Sequence, residues 1–247
     1  MPQNIYDNPQ FFAGYSQFRR SIEGLAGAPE WPALRSMLPL LNGLRVLDLG
    51  CGFGYFARWA GDQGAASVLG LDYSENMLTR AQAETHNPAV TYHRGDIESL
   101  ALPDASFDLV YSSLVLHYIE DIDKLFATLH RLLASAGRLV FSVEHPIYMA
   151  PSHPGWQIDA HGVKIWPLND YLIEGRRVTD WITPGVVKYH RTIATYVNAL
   201  LANGFSLLRL DEWTPTPEQI AERPELAEEL QRPPFLLVAA QVMAEVR

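Results

Sequence analysis

The stretch Val46-Leu47-Asp48-Leu49-Gly50-Cys51-Gly52-Phe53-Gly54 decides how this chain is read. It is an apolar strand with an acid near its end, running into three alternating glycines. A helical segment follows, Tyr55 to Gly61. Strand, glycine turn and helix together open a nucleotide-binding α/β unit. Glycine tolerates positive φ and lets a ligand lie against bare backbone. An adenosine-like ligand is the expectation from this segment alone.

Working outward, strands and helices alternate. Apolar runs at 45–49, 67–71, 90–93, 107–112 and 137–143 read as strands. Helical spacing marks 53–62, 74–85 and 122–133, with Ser74 as an N-cap. Two further strands are expected at 205–211 and 235–243, after a helix over 192–203 that Gly204 ends. The predicted fold is α/β: a doubly wound, mostly parallel seven-stranded sheet.

The chain reads as one domain over 1–247 with a core at 44–143. Residues 1–42 form an N-terminal helical cap. Residues 145–188, rich in His, Pro, Trp and Tyr, form an insertion after the fifth strand. Residues 190–247 supply the last helix and strands, with a proline-rich acidic insertion at 214–234.

Composition narrows the function. Of 247 residues 48% are hydrophobic, enough for a sizeable core. The net charge of −9 argues against nucleic-acid or anionic-membrane partners, which favour basic patches. The one cysteine, Cys51, allows no intrachain disulfide. The first residues lack the features of a signal peptide, and no apolar run is long enough to span a membrane. A cytoplasmic protein is expected.

The glycine spacing is G-x-G-x-G, and Tyr55 stands where a dinucleotide fingerprint needs its third glycine. The loop also lacks the Lys-Ser/Thr ending of a phosphate-cradling loop. Asp72 ends the second strand 22 positions after Gly50, where an acid can accept from ribose hydroxyls. Gly95-Asp96-Ile97 ends the third, offering an acid for an adenine amino group and an apolar cover for the ring.

Four segments in this order resemble the class I S-adenosylmethionine-dependent methyltransferases. They are the glycine stretch, Leu71-Asp-Tyr-Ser-Glu-Asn-Met77, Gly95-Asp-Ile-Glu-Ser-Leu100 and Phe107-Asp-Leu-Val-Tyr-Ser-Ser113. The resemblance covers 44–143 and is looser beyond. It implies a Rossmann-like methyltransferase fold that binds S-adenosylmethionine and releases S-adenosylhomocysteine. By that resemblance Gly50, Cys51 and Gly52 pass the methionine portion over the turn, and Asp48 stands near its ammonium. Asp72 holds the ribose, while Tyr73 and Met77 line the adenine. Asp96 accepts from the adenine amino group, and the Ile97 backbone meets a ring nitrogen. Ser112 faces the methionine portion, Tyr15 is a lid residue, and His117 stands beside the cofactor or acts as a base.

Methyl transfer from a sulfonium releases a neutral leaving group, so orientation carries much of the rate. A base is needed only where the nucleophile sheds a proton. The expected acceptor is a small molecule methylated on oxygen or nitrogen, in a pocket walled by Trp156, Trp166, Tyr171 and Trp181. His145 and His190 are the candidate bases. Glu144 and His145 are adjacent on extended chain, so they point to opposite faces and form no dyad. No short-spaced ligand pair suggests a metal. An NAD-dependent oxidoreductase and a non-catalytic S-adenosylmethionine-binding protein are the alternatives.

Overall fold

The first strand feeds two cores at once. β1 (Arg45–Leu49) is buried from Val46 onward. Successive side chains leave a strand on opposite faces. Leu47 and Leu49 therefore join one apolar layer with Phe126, Leu129 and Tyr196, while Val46 joins another with Trp31, Phe56 and Leu78. Each such side chain contributes about 1.5–3 kcal/mol on burial.

The computed structural model describes residues 3–243. Three short helices precede β1: α1 (Pro9–Tyr15), α2 (Arg19–Ile22) and α3 (Trp31–Ser36). After β1 come α4 (Tyr55–Asp62), β2 (Ser67–Asp72), α5 (Glu75–Ala83), β3 (Val90–Arg94) and β4 (Phe107–Ser113). Then follow α6 (Ile122–Leu132), β5 (Leu133–Glu144) and α7 (Pro146–Met149). Two hairpins come next, β6 (Gln157–Ile158) with β7 (Lys164–Ile165), and β8 (Gly175–Trp181) with β9 (Thr183–His190). The described chain continues through α8 (Ile193–Ala202), β10 (Phe205–Glu212), α9 (Pro217–Glu222) and β11 (Phe235–Val242).

The main sheet has seven strands in the order β10-β11-β5-β4-β1-β2-β3. β1 to β5 pair in parallel, and β11 lies antiparallel to both β5 and β10. This is the doubly wound, mostly parallel sheet that the alternation predicts. The chain moves outward from β1 to β3, then returns to set β4 on the other side of β1. Such a reversal opens a crevice at the carboxyl ends of the strands, where open α/β sheets bind ligands.

Two local signals explain where the helices begin. Gly54 takes φ 74° and turns the chain directly into α4. The Ser74 hydroxyl accepts the Met77 N–H and caps α5. The insertion differs from its expected bounds: β9 runs through His190, two residues past 188. Pro184 and Gly185 at its start hide the strand from pattern reading, because neither favours a sheet interior.

Candidate active site

A cavity of about 1030 Å³ lies over the carboxyl ends of β1, β2, β3, β4 and β5. One wall is the glycine loop with the ends of β2 and β3. The opposite wall comes from the end of β5, the β8–β9 hairpin and residues 229–235, and the N-terminal segment covers both.

The glycine loop is tied to β2 by backbone. Gly50 N–H and Cys51 N–H both donate to the Leu71 carbonyl, at 2.8 and 2.9 Å. Gly52 N–H donates to Asp72 Oδ2 at 2.8 Å, and Ser74 N–H donates to Asp72 Oδ1 at 2.9 Å. Burial raises the Asp72 pKa, and these N–H groups oppose that rise. Each carboxylate oxygen keeps a second lone pair for a ligand hydroxyl. Gly50 has φ 75°, and a Cβ there would stand 2.3 Å from Val115. Gly52 has φ 52°, and a Cβ there would meet no atom within 4 Å, so bare backbone faces open space.

Further along the same wall stand Tyr73, Met77, Asp96 and Ile97. Asp96 Oδ1 accepts the Glu98 N–H at 2.9 Å and caps a short 3-10 turn over Ile97–Ser99. The structure thus brings Gly50, Gly52, Asp72, Tyr73, Met77, Asp96, Ile97, Tyr15 and His117 to one cavity.

Asp48, Cys51 and Ser112 do not line it. Asp48 sits on the Val46 side of β1, beneath α4, and burial raises its pKa to about 8. Ser112 Oγ donates to the Leu49 carbonyl at 2.8 Å and is fully buried. Cys51 is buried in the α4 core, and burial raises its thiol pKa well above the usual value. Ser112 thus supports the start of the loop from below.

The N-terminal segment is latched at two points. Asp7 Oδ1 accepts from the Ser74 hydroxyl and from Asn76 N–H, so it caps α5 a second time. Burial acts to raise the Asp7 pKa, but these hydrogen bonds and one from Asn4 outweigh it and hold the carboxyl low. Gln3 donates to the Gly185 carbonyl and accepts from Val187 N–H, both at 2.9 Å. It thereby mimics a strand pairing with the hairpin. Between the latches the Tyr6 and Tyr118 hydroxyls are 3.3 Å apart. Arg20 lines the cavity, and its Nη2 donates to both oxygens of buried Glu30, at 2.9 and 3.0 Å.

At the β5 end, Lys188 Nζ donates to Glu144 Oε1 at 2.5 Å. The Glu144 and Lys188 side chains are only 13% and 3% exposed. The Lys188 ammonium lies over the Trp181 ring at 4.6 Å and the Tyr118 ring at 5.9 Å. Glu144 N–H donates to His117 Nδ1 at 3.4 Å, which leaves the ring proton on Nε2. Burial, with Lys188 and Arg191 nearby, pushes the His117 pKa well below 6.5.

His145 and His190 are off the cavity wall, which corrects their expected role as bases. His145 is fully buried and occupied at both nitrogens. Nδ1 accepts the Ile147 N–H at 3.1 Å and caps α7, while Nε2 donates to Glu212 at 3.0 Å. Burial lowers its pKa to about 4 despite Glu212. His190 Nε2 donates to the Tyr171 carbonyl at 2.9 Å and fastens the loop before β8. The expected aromatic wall also divides. Trp181 lines the cavity, whereas Trp156 and Trp166 pack around the Arg232 guanidinium, which lies 5.1 and 4.3 Å from their rings.

Sequence reasoning missed Tyr6, Arg20, Glu144, Tyr118, Tyr148, Lys188 and Arg232 near this cavity. For Glu144 a signal existed: of two adjacent residues leaving a strand end, one faces the crevice. Sequence alone did not say which. For the others no local pattern pointed to the site.

The comparisons agree with this geometry. A family model described as a methyltransferase domain matches residues 47–141. The chain is 59% identical to an S-adenosylmethionine-dependent methyltransferase from Mesorhizobium loti of known crystal structure, covering 88% of this chain and 100% of that one with a TM-score of 0.86. It is 34% identical to an uncharacterized protein of Haemophilus influenzae, over 96% of both chains. It is also 34% identical to the malonyl-[acyl-carrier protein] O-methyltransferase of Pectobacterium atrosepticum, but spans only about half the length of that relative, 48%. The open backbone over Gly52 and the ribose-competent Asp72 fit the donor such enzymes use. The chain belongs to the S-adenosylmethionine-dependent methyltransferases.

Proposed function

We propose that this methyltransferase acts on a small-molecule acceptor enclosed in the same cavity as the methyl donor. The supporting observation is the single cavity that runs from Asp96 to Glu144. Its volume, about 1030 Å³, is at the top of the ~300–1,000 Å³ range of small-ligand sites. That leaves room for donor and acceptor together.

Strand order sets the layout we infer. Asp96 at β3 takes the adenine amino group, with the Ile97 backbone on a ring nitrogen and Tyr73 and Met77 against the ring. Asp72 at β2 takes the ribose hydroxyls, and Gly50 and Gly52 at β1 pass the methionine portion. Tyr15 covers that portion, and Arg20 brings a cation to the same wall. S-adenosylmethionine supplies an electrophilic methyl group on a sulfonium. The residues of this chain orient it toward β4 and β5, exclude water with the N-terminal segment, and hold an acceptor there. Nitrogen or oxygen acceptors suit the polar groups at the β5 end.

Calorimetry with S-adenosylhomocysteine tests the donor site, and S-adenosylhomocysteine release against a panel of small amines and hydroxyl compounds tests the acceptor. Turnover only with a macromolecular acceptor would overturn the reading.

A further inference from the structure

Glu144 has one oxygen too many for its surroundings. Oε1 is taken by Lys188, but Oε2 is buried with no hydrogen-bond partner among the described residues. A buried carboxylate oxygen without a donor is costly, and this one belongs to a residue on the cavity wall. Neighbouring strands lie about 4.8 Å apart, and β5 is two strands from β1. Glu144 is therefore about 10 Å across the sheet from the glycine loop, on the side away from Asp72 and Asp96.

The histidines do not compete as proton acceptors. His117 Nδ1 is taken by the Glu144 N–H. His145 and His190 are off the wall. The surroundings of Glu144 suit a cation in transit: Trp181 and Tyr118 present ring faces that already carry one ammonium, that of Lys188.

Building on the donor-site reading above, we propose that Glu144 receives both the acceptor and its proton, and that the acceptor is a small primary or secondary amine. An alkylammonium, with a pKa of about 10.4, is within reach of a carboxylate base. An aliphatic hydroxyl, about as weak an acid as water at 15.7, is not. A turn of the Glu144 carboxylate brings Oε2 to the acceptor ammonium, which gives it one proton and frees the nitrogen lone pair. A C–N bond then forms to the methyl carbon as the C–S bond breaks, its electron pair staying with sulfur. The product leaves as a methylated ammonium, and Glu144 returns its proton to solvent.

Sinefungin tests this without knowledge of the acceptor. It carries an amino-bearing carbon where the donor has its methylated sulfur. Dissociation constants for sinefungin and S-adenosylhomocysteine would be measured by calorimetry on the wild type and on Glu144→Gln. The wild type should prefer sinefungin. In Glu144→Gln the amide oxygen stays with Lys188 and the NH2 faces the ligand, so the preference should fall about tenfold or more while S-adenosylhomocysteine affinity holds. Equal affinities in the wild type, or an unchanged preference in the variant, would overturn the proposal. Failure of either ligand to bind the wild type would instead overturn the donor site itself. Should circular dichroism show that Glu144→Gln does not fold, the double variant Glu144→Gln, Lys188→Gln keeps a neutral hydrogen-bonded pair and is read the same way.

Discussion

Asp72 holds the glycine loop by accepting the Gly52 N–H on Oδ2 at 2.8 Å. The same side chain therefore shapes the loop and presents its remaining lone pairs to the cavity. Asp72→Ala should weaken S-adenosylhomocysteine binding by about 1.5–3 kcal/mol, the worth of hydrogen bonds to a charged group. Calorimetry reads this directly, and unchanged affinity would remove Asp72 from the site.

Asp7 couples the N-terminal segment to the start of α5. Removing an N-cap acceptor costs about 0.5–2 kcal/mol. Asp7→Ala should therefore loosen the cover, and the effect should fall mainly on the dissociation rate of S-adenosylhomocysteine, raised about three- to tenfold. Stopped-flow chase experiments would show it. An unchanged release rate would mean that the segment does not cover the ligand.

The two halves of the site were not equally legible, and the reason is physical. The donor half is written in residues with backbone consequences. Gly50 and Gly52 sit at positive φ, and Asp72 caps the turn that follows its own strand, so adjacent positions in sequence are adjacent in space. The sheet follows from the same alternation. The β5 side of the cavity, which we propose for the acceptor, is assembled from afar. Lys188 on β9 meets Glu144 on β5 across 44 positions, and Arg232 meets Tyr148 across two insertions. No periodicity encodes such meetings. Its place at the end of β5 sets His145 ahead of the other histidines in sequence, but the strand's alternation turns it to the other face and leaves Glu144 on the cavity wall.

His145 should accordingly behave as a structural residue. His145→Ala loses the α7 cap and the Glu212 bond, at a cost of about 1–3 kcal/mol, with S-adenosylhomocysteine affinity within about twofold of wild type. The sign of its pH dependence is fixed by burial. The folded state holds the ring neutral down to about pH 4. The unfolded chain takes a proton from about 6.5. Stability from this group is thus complete above about pH 6.5 and lost as pH falls toward 4. Urea unfolding of wild type and variant from pH 4 to 7 would show the two curves converging at low pH. A constant gap would contradict the assignment.

Asp48 carries the opposite sign. Its pKa rises from 3.8 to about 8 on folding because it is buried, with Asp72 adding to the effect. The native state binds the extra proton, so stability falls as pH rises from about 4 to about 8 and levels above. Asp48→Asn, an isostere of the protonated acid, should remove that slope. The variant should exceed wild type in stability at about pH 9, on the order of 2–5 kcal/mol, and match it near pH 4. Parallel curves would place the Asp48 proton elsewhere.

Arg232 clamps the two insertions together. Its guanidinium lies 4.5 Å from the Tyr148 ring centroid and 4.3 Å from that of Trp166, with Trp156 at 5.1 Å. It is only 7% exposed, and its Nη1 lies 2.9 Å from Glu229. Burial lowers its pKa, so the stacked rings and Glu229 are what hold the charge there. A planar guanidinium stacks where an ammonium does not. Arg232→Lys should therefore act as a loss, of about 1–2 kcal/mol from the ring contacts. Trp156 and Trp166 would become wetter, so tryptophan emission should shift to the red, and proteolysis within residues 150–175 should speed up. Because the clamp is separate from the glycine loop, S-adenosylhomocysteine affinity should change little. An unshifted emission spectrum with unchanged proteolysis would mean that the insertions hold each other without Arg232.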